Sequence, residues 1–298
     1  MYLEWGGIGL SKRTRKDNLY GFLFMAPFLC FAAVFMIYPM VKGVYNSFYD
    51  FRFGGMEFVG LENYKGVLSG DLYLLSIKNS LMFVFIVVPM LIVFGMLISG
   101  SIFDKSPGYV SFVRVCLYLP VVASMVVMTI IWRFMLDPQS GLLRYFYDKV
   151  GMEPVNLLGD ARWTFVILVL ILFTMNVGQC VVLYVANLIG IPKDLIEALE
   201  LDGGNRLHLF RYLLIPLSKP TSLFLFITQT AAVLRVFVVI QLLTNGGPNY
   251  SSTTMMYLLY QQGFLYGNFG TASALGVFMF LFTLVLVILQ FRAIKTDK

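Results

Sequence analysis

The sequence predicts an all-α polytopic membrane protein with about six transmembrane helices and both termini in the cytoplasm. Three observations carry this. Charged residues make up 13% of the 298-residue chain, about half the share in a soluble domain, while 59% of residues are apolar or aromatic. Five stretches hold no charge at all: 19–41, 79–103, 115–132, 163–192 and 236–291, together half the chain. The cations flank those stretches and favour one side. A hydrocarbon core of roughly 30 Å needs about 20 apolar helical residues to cross it.

Six helices account for the runs, near 19–46, 73–101, 110–134, 162–190, 219–243 and 270–291. The first follows Lys12, Arg13, Arg15 and Lys16. It is too long for a signal-peptide core and lacks a small-x-small cleavage site, so it reads as a retained span. Helix two carries Pro89 and Gly95, and helix four carries Gly178. Such breakers in membrane helices serve packing or kinks, and a hinge is the alternative. The run 236–291 is too long for one span. Asn245-Gly246-Gly247-Pro248-Asn249 and Gly263, Gly267, Asn268 and Gly270 supply the turn that splits it.

Orientation follows the cations. The N-tail, Lys105, Lys193, Arg206, Arg211, Lys219 and the C-tail (Arg292, Lys295, Lys298) fall on one side, twelve in all. The opposite loops hold Arg52, Lys65, Arg144 and Lys149, with Lys78, Arg133 and Arg162 at their borders. The richer side is cytoplasmic. The expected organisation is a cytoplasmic tail 1–18, a membrane domain 19–292 and a cytoplasmic tail 293–298.

Composition excludes several chemistries. Cys30, Cys116 and Cys180 each sit in an apolar run and read as buried hydrophobes. A single histidine, His208, leaves no basis for a histidine metal site or a His-driven triad. No GxxxxGK[ST] loop occurs, so the chain has no such nucleotide site. The net charge of +6 reflects topology and suggests no nucleic-acid partner.

The connection between helices four and five, 191–217, is more than a loop. Pro192 can open a helix at its first position, and Asp194 suits the positive end of the helix dipole. Leu195, Ile196 and Leu199 share one face. Gly203-Gly204 stops this helix. Asn205 can cap a second helix with Leu207, Phe210 and Leu214 on its apolar face. Pro216 and Pro220 mark entry into helix five. Two short amphipathic helices joined by a glycine turn need a surface to cover them. A lipid surface and a groove on another protein both qualify.

Glu197-Ala198-Leu199, then Asp202-Gly203, then Ile215-Pro216-Leu217 resembles the loop signature of binding-protein-dependent ABC importer permeases. That signature is E-A-A, three residues, G, nine to eleven residues, I-x-L-P. Here Leu199 replaces the second Ala, Gly204 stands where Ala is commoner, and the end reads Ile-Pro-Leu. Pro27-Phe28, Tyr38-Pro39, Ser47-Phe48, the segment 58–64, Asn79-Ser80, and the segment 243–248 with Ser252-Thr253 resemble the carbohydrate-uptake branch of the maltose and glycerol-phosphate type. The branch usually has an Asp after the Phe of helix five, and here Phe237 is followed by Val238. The resemblance runs from residue 20 to the end. It implies that Glu197, Ala198, Leu199, Asp202 and Gly203 couple to a partner ATPase dimer, which would hold ATP and Mg. It also implies a second, usually different, permease subunit and an extracytoplasmic solute-binding protein. The chain itself would be no enzyme and carry no cofactor. It would be the permease of an ATP-driven importer moving a carbohydrate inwards by alternating access.

Helices four and five supply candidates for the substrate pathway. Asn176, Cys180, Tyr184 and Asn187 form one stripe with Gln179 at its edge, and Thr221, Thr228 and Arg235 recur every seven residues. Polar groups in a span face protein or water, and helix–helix hydrogen bonding is the plainer use of each. Arg235 reads as the only charge inside a span, about 24 Å beyond Lys219. It can snorkel outward, pair with a neighbouring subunit or meet substrate. The aromatic outer loops 49–55 and 250–270 suit a receptor surface or interfacial anchoring. An ion-coupled secondary transporter would need midplane carboxylates or repeats, and no Asp or Glu falls inside a span. An intramembrane enzyme would need a nucleophile and base there, and none is visible.

Overall fold

The computed structural model describes residues 15–51 and 55–295. Lys12, Arg13, Arg52 and Lys298 lie outside the described residues. The chain is a bundle of helices whose only strands among the described residues are Tyr49–Asp50 (β1) and Glu57–Phe58 (β2), paired antiparallel.

The first span runs from Arg15–Ala32 (α1) through a widened π-turn, Ala33–Ile37, into Tyr38–Asn46 (α2). A proline, Pro39, follows the π-turn. Proline has no N–H, and its ring presses on the carbonyl four residues back, so the turn before it opens. Glu62–Ser69 (α3) leads to the long Asp71–Ile102 (α4). Next come Pro107–Val122 (α5), Met125–Leu136 (α6), Leu142–Val150 (α7) and Ala161–Ile189 (α8). The projecting segment contains Lys193–Leu201 (α9), Arg206–His208 (α10), a second π-turn Leu209–Leu214 and Ile215–Leu217 (α11). This π-turn also precedes a proline, Pro216. Lys219–Leu234 (α12), Val238–Leu243 (α13), Met255–Tyr260 (α14), a third π-turn Gln261–Leu265 and Phe269–Lys295 (α15) complete the chain.

The expected spans one, two, four and six appear as continuous helices long and apolar enough to cross a bilayer. The other two differ from expectation. Span three, expected unbroken over 110–134, is bent by 98° between α5 and α6. Ala123 and Ser124 are extended there, just after Pro120, which removes a helical hydrogen bond. Span five, expected over 219–243, breaks at Arg235–Phe237, leaving a 16-residue α12. The second fragments of these two spans, α6 and α13, pack on each other. Irregular backbone at membrane depth is tolerated only where protein or water satisfies it, and here protein does so. The Thr254 hydroxyl donates to the Val236 carbonyl at 3.0 Å, and Arg133 reaches the Leu242 carbonyl at 3.4 Å.

Helix α8 is the centre of the core. It packs along α4 and α5 and touches α12 and α6, burying Leu168, Ile171, Leu172, Cys180, Val181 and Tyr184. Gly178 and Gly95 both stand at tight helix–helix contacts, the packing use expected of such breakers. A Cβ on Gly178 would stand 2.0 Å from the Leu117 carbonyl oxygen of α5, and one on Gly95 would stand 2.9 Å from Cys180 Cβ. Cys180 is buried as expected, whereas Cys30 and Cys116 are exposed on this single chain. The apolar side chains of 20–46 also stay exposed, although α2 leans on α15.

The second correction concerns charge. Arg235 is not alone within a span, because Lys42 lies in the first span, Lys78 in α4, Arg133 in α6 and Arg114, half-buried, in α5.

Adding a methyl group at the α5–α8 crossing must separate the helices. Gly178→Ala is expected to destabilise the protein by about 1–3 kcal/mol, the usual cost of overpacking. Thermal unfolding in detergent should show this as a lowered midpoint, while Gly66→Ala, which meets nothing within 4 Å, should not lower it.

Candidate functional site: a braced helix pair at one end of the bundle

The segment 191–217 is built as two short helices at a fixed angle. Helix α9 starts after Pro192, which stands just before the helix rather than at its first position. Asp202 closes it, and Gly203 takes φ +77°, a region costly for any residue with a Cβ. Gly204 donates to the Leu199 carbonyl at 2.8 Å. A Cβ on Gly204 would meet that oxygen and the Leu199 side chain at 2.6 Å. Both glycines are therefore required, one for its backbone angle and the other for its size. Asn205 then caps the second helix as expected. Its Oδ1 accepts from His208 N at 3.0 Å, and its own N–H donates to His208 Nδ1 at 3.3 Å.

Three sets of contacts hold the pair to the bundle. Phe210 lies over Gly100 of α4, where a Cβ would stand 2.4 Å from its ring. Arg206 donates to the Ser101 carbonyl at 2.7 Å and pairs with Asp104 at 3.0 Å. The pair is more than half exposed, so solvent screens it and geometry matters more than energy. Ser218, fully buried, donates to Asn187 Oδ1 at 2.7 Å. This last bond joins the end of α8 to the start of α12.

The two expected apolar faces are each divided. Ile196, Phe210 and Leu214 pack on the core, and Leu199 is half-buried. Leu195, Leu201 and Leu207 remain exposed, Leu201 at 89%. The reason is that the pair touches the bundle along one edge only. Around those leucines stand Asp194, Glu197, Ala198, Glu200, Asp202 and Gly203, all exposed. The result is a rigid projection with apolar tips among carboxylates.

The candidate pathway residues separate into two groups. Tyr184 and Cys180 face the interior, and the Tyr184 hydroxyl lies 2.8 Å from Ser222 Oγ of α12. Asn187 and Tyr184 thus make the helix–helix hydrogen bonds that were the plainer reading. Asn176 bonds the Leu172 carbonyl of its own helix at 2.7 Å. Thr228 does the same to Phe224 at 2.8 Å. Arg235, exposed, donates to the Ala231 carbonyl at 3.0 Å and closes α12. Gln179 is exposed and accepts from Gln229 at 3.4 Å. The expected stripe is therefore not one continuous lining in this conformation.

Several residues escaped the sequence reading. Gln229 is buried, with its Oε1 lacking a hydrogen-bond partner. Thr230 accepts from Gln290 of α15 at 2.8 Å. A glutamine inside an apolar run is itself the signal that could have found Gln229. Asn79 and Ser80, noted only as part of a motif, pin the turn 244–254. Asn79 donates to the Tyr250 and Thr253 carbonyls at 3.1 and 3.0 Å, and Ser80 Oγ accepts from Met255 N at 3.0 Å. In the connection after α6, the Asp137 carboxyl is held below its ordinary range, first by the Ser140 amide and then by that of Gln139.

Fold and site together define a multi-pass helical membrane protein with a braced, exposed helix pair at one end. The chain belongs to the family of binding-protein-dependent transport system inner membrane components, whose pattern matches residues 63–294. It is thus an inner-membrane, multi-pass permease component of the ABC transporter class. It is 30% identical to the sn-glycerol-3-phosphate transport system permease protein UgpA of Agrobacterium fabrum, over 94% of this chain and 96% of that one. It is 27% identical to the lactose transport system permease protein LacF of Rhizobium radiobacter, over 97% and 98%. In fold it is similar to a chain of the bacterial alginate ABC transporter, solved in complex with an alginate pentasaccharide-bound periplasmic protein. The TM-score is 0.82 at 22% identity, covering 94% of this chain and 96% of that chain.

Removing the acceptor for a buried hydroxyl costs about 1–3 kcal/mol. Asn187→Ala is therefore expected to loosen the helix pair. Hydrogen exchange over residues 191–217 should accelerate while the middle of α4 keeps its protection.

Proposed function

We propose that this chain is one of two permease subunits of an ATP-driven importer that carries a carbohydrate into the cytoplasm. An extracytoplasmic solute-binding protein delivers the cargo. The second permease is a different chain. A sugar, an oligosaccharide or a phosphorylated polyol each fits the range of cargo named for the relatives.

The observation that carries this reading is the helix pair at 191–217. It is bolted to α4, α8 and α12, yet exposes Glu197, Ala198, Asp202 and Gly203. The chain has no nucleotide motif, so the free energy must enter through a contact. A projection that cannot bend passes a push to the helices it is fixed to. Between an ATPase dimer and this chain, Leu201 and Leu207 fill apolar sockets and the carboxylates meet cations. ATP and Mg are held by the ATPase. Closure of that dimer then rotates the bundle between two access states, which need differ by only a few kcal/mol for a partner to switch them. The chain contributes no catalytic group.

The same reading sets the topology. Six spans cross the membrane, with α5–α6 as the bent third and α12–α13 as the broken fifth. The tails 1–18 and 293–298 and the segment 191–217 lie in the cytoplasm, and 19–292 forms the membrane domain. We place Asn176, Gln179, Thr228 and Arg235 along the passage between the two permeases. Tyr184 joins them only if α12 shifts off α8. The ion-coupled alternative gains nothing from these observations, since among the described residues no acidic side chain lies in the middle of a span, Asp71 standing at the very start of α4.

Two outcomes test this. Glu197→Lys and Gly203→Pro should insert normally, because neither touches the bundle. Reconstituted with the partner subunits, each should lose substrate-stimulated ATP hydrolysis and uptake. Normal transport by either variant would refute the coupling role. For topology, Asp202→Cys should react with a membrane-impermeant maleimide only when the cytoplasmic face is open to the reagent. Labelling of intact spheroplasts would reverse the assignment.

A further inference from the structure

We propose that a crevice between the ends of α4 and α8 and the start of α5 is a binding site for an anionic phospholipid, with Lys105, Ser111 and Arg114 taking the headgroup phosphate. The proposal goes beyond the transport reading and needs only the membrane placement of the chain.

The crevice has a volume of about 320 Å³. Its walls are largely apolar, with Ile102, Val110, Val185 and Leu188 among them, and its polar side chains include Lys105, Ser111 and Arg114. A second crevice of about 310 Å³ shares Ser111 and Arg114 and continues past Val115, Tyr118 and Val182. Together they make one groove along α5 and α8, cationic at one end and apolar beyond. That is the polarity of a phospholipid, with a charged head and a hydrocarbon tail.

Lys105 stands in the turn between α4 and α5, whereas Arg114 lies inside α5, an unusual place for a charge in a span. Arg114 sits seven residues into α5, roughly 10 Å along the helix from its start. A cation so placed is expensive unless paired. Yet its Nε is buried and has no hydrogen-bond partner, and its guanidinium donates to Ser111 Oγ at 3.2 Å. No carboxylate lines either crevice among the described residues. The adjacent acid, Asp104, is taken by Arg206 on the other side of the helix end. An arginine fork with a free N–H matches the oxygens of a phosphate. Basic pockets between transmembrane helices are known sites for anionic headgroups. A free phosphate ion would satisfy the cations but leave the apolar groove unfilled, which is why the lipid is the occupant we commit to.

The assembled complex, purified in mild detergent, tests this by native mass spectrometry with added phosphatidylglycerol or phosphatidylcholine. Phosphatidylglycerol should be retained preferentially. Replacing both Lys105 and Arg114 by Gln should lower that retention about 30-fold, the equivalent of about 2 kcal/mol at about 1 kcal/mol per cation. Arg144→Gln, at the other end of the bundle, should leave it unchanged. Equal retention of the two lipids, no loss in the double variant, or displacement of the lipid by excess inorganic phosphate would overturn the proposal. So would absence of retained lipid because the second permease covers the groove. Should the double variant fail to fold, a phosphatidylglycerol with a photoreactive acyl chain settles the matter on the native protein. Label on residues 110–118 and 182–189 supports the site, and label confined elsewhere excludes it.

Discussion

The close approach of α4 and α5 to α8 is the constraint on which the rest of the molecule depends. In lipid there is no water to drive apolar faces together, so helices associate by fit. Fit here means two glycines. At Gly178 the backbone of α5 comes closer than any side chain would allow, and at Gly95 the side chains of α8 fill the space a Cβ on α4 would occupy. Helix α8, held on two sides, becomes a fixed reference. Its end at Asn187 then receives α12 through Ser218, and its buried face meets α12 again through Tyr184 and Ser222. The position of the helix pair at 191–217 follows, because both of its ends are anchored in this one block.

The broken spans are resolved by the same requirement for internal satisfaction. Breaking a helix in a membrane frees backbone donors and acceptors that lipid cannot meet. At the α12–α13 break the chain answers by packing α13 on α6 and by folding the turn 244–254 back to the Val236 carbonyl. That turn is polar and buried at its end, with Ser252, Thr253 and Thr254 almost wholly enclosed and Asn249 and Tyr250 exposed. Asn79 and Ser80 hold it from α4, and Thr254 serves both as the cap of α14 and as the donor to Val236. One end of the bundle is therefore tied by side-chain bonds to backbone, while the other end projects the helix pair.

The proposed coupling role asks for both rigidity and exposure of that helix pair, and they come from different residues. Phe210, Leu214 and Ile196 supply the burial that holds it. Leu201, Leu207 and the carboxylates around them supply the free surface. A helix pair buried on all its apolar sides could brace the bundle but could not receive a partner. One exposed on all sides could receive a partner but would not transmit its motion.

Much of this was legible in the sequence by itself. Hydrocarbon thickness makes span length a direct reading of apolar run length, so spans one, two, four and six were placed within a few residues. The turn at Gly203-Gly204 and the cap at Asn205 were also legible, because each depends on backbone preference and local hydrogen bonding. Tertiary structure decided the rest. Nothing local distinguishes a straight third or fifth span from a broken one, since a break is stable only when a distant segment such as 244–254 satisfies it. Nor could periodicity tell which leucines of the helix pair face the bundle, or that Tyr184 would be consumed in a bond to Ser222. Those outcomes depend on which helix lies alongside, and that is set by the approach at Gly178 and Gly95 rather than by either helix alone.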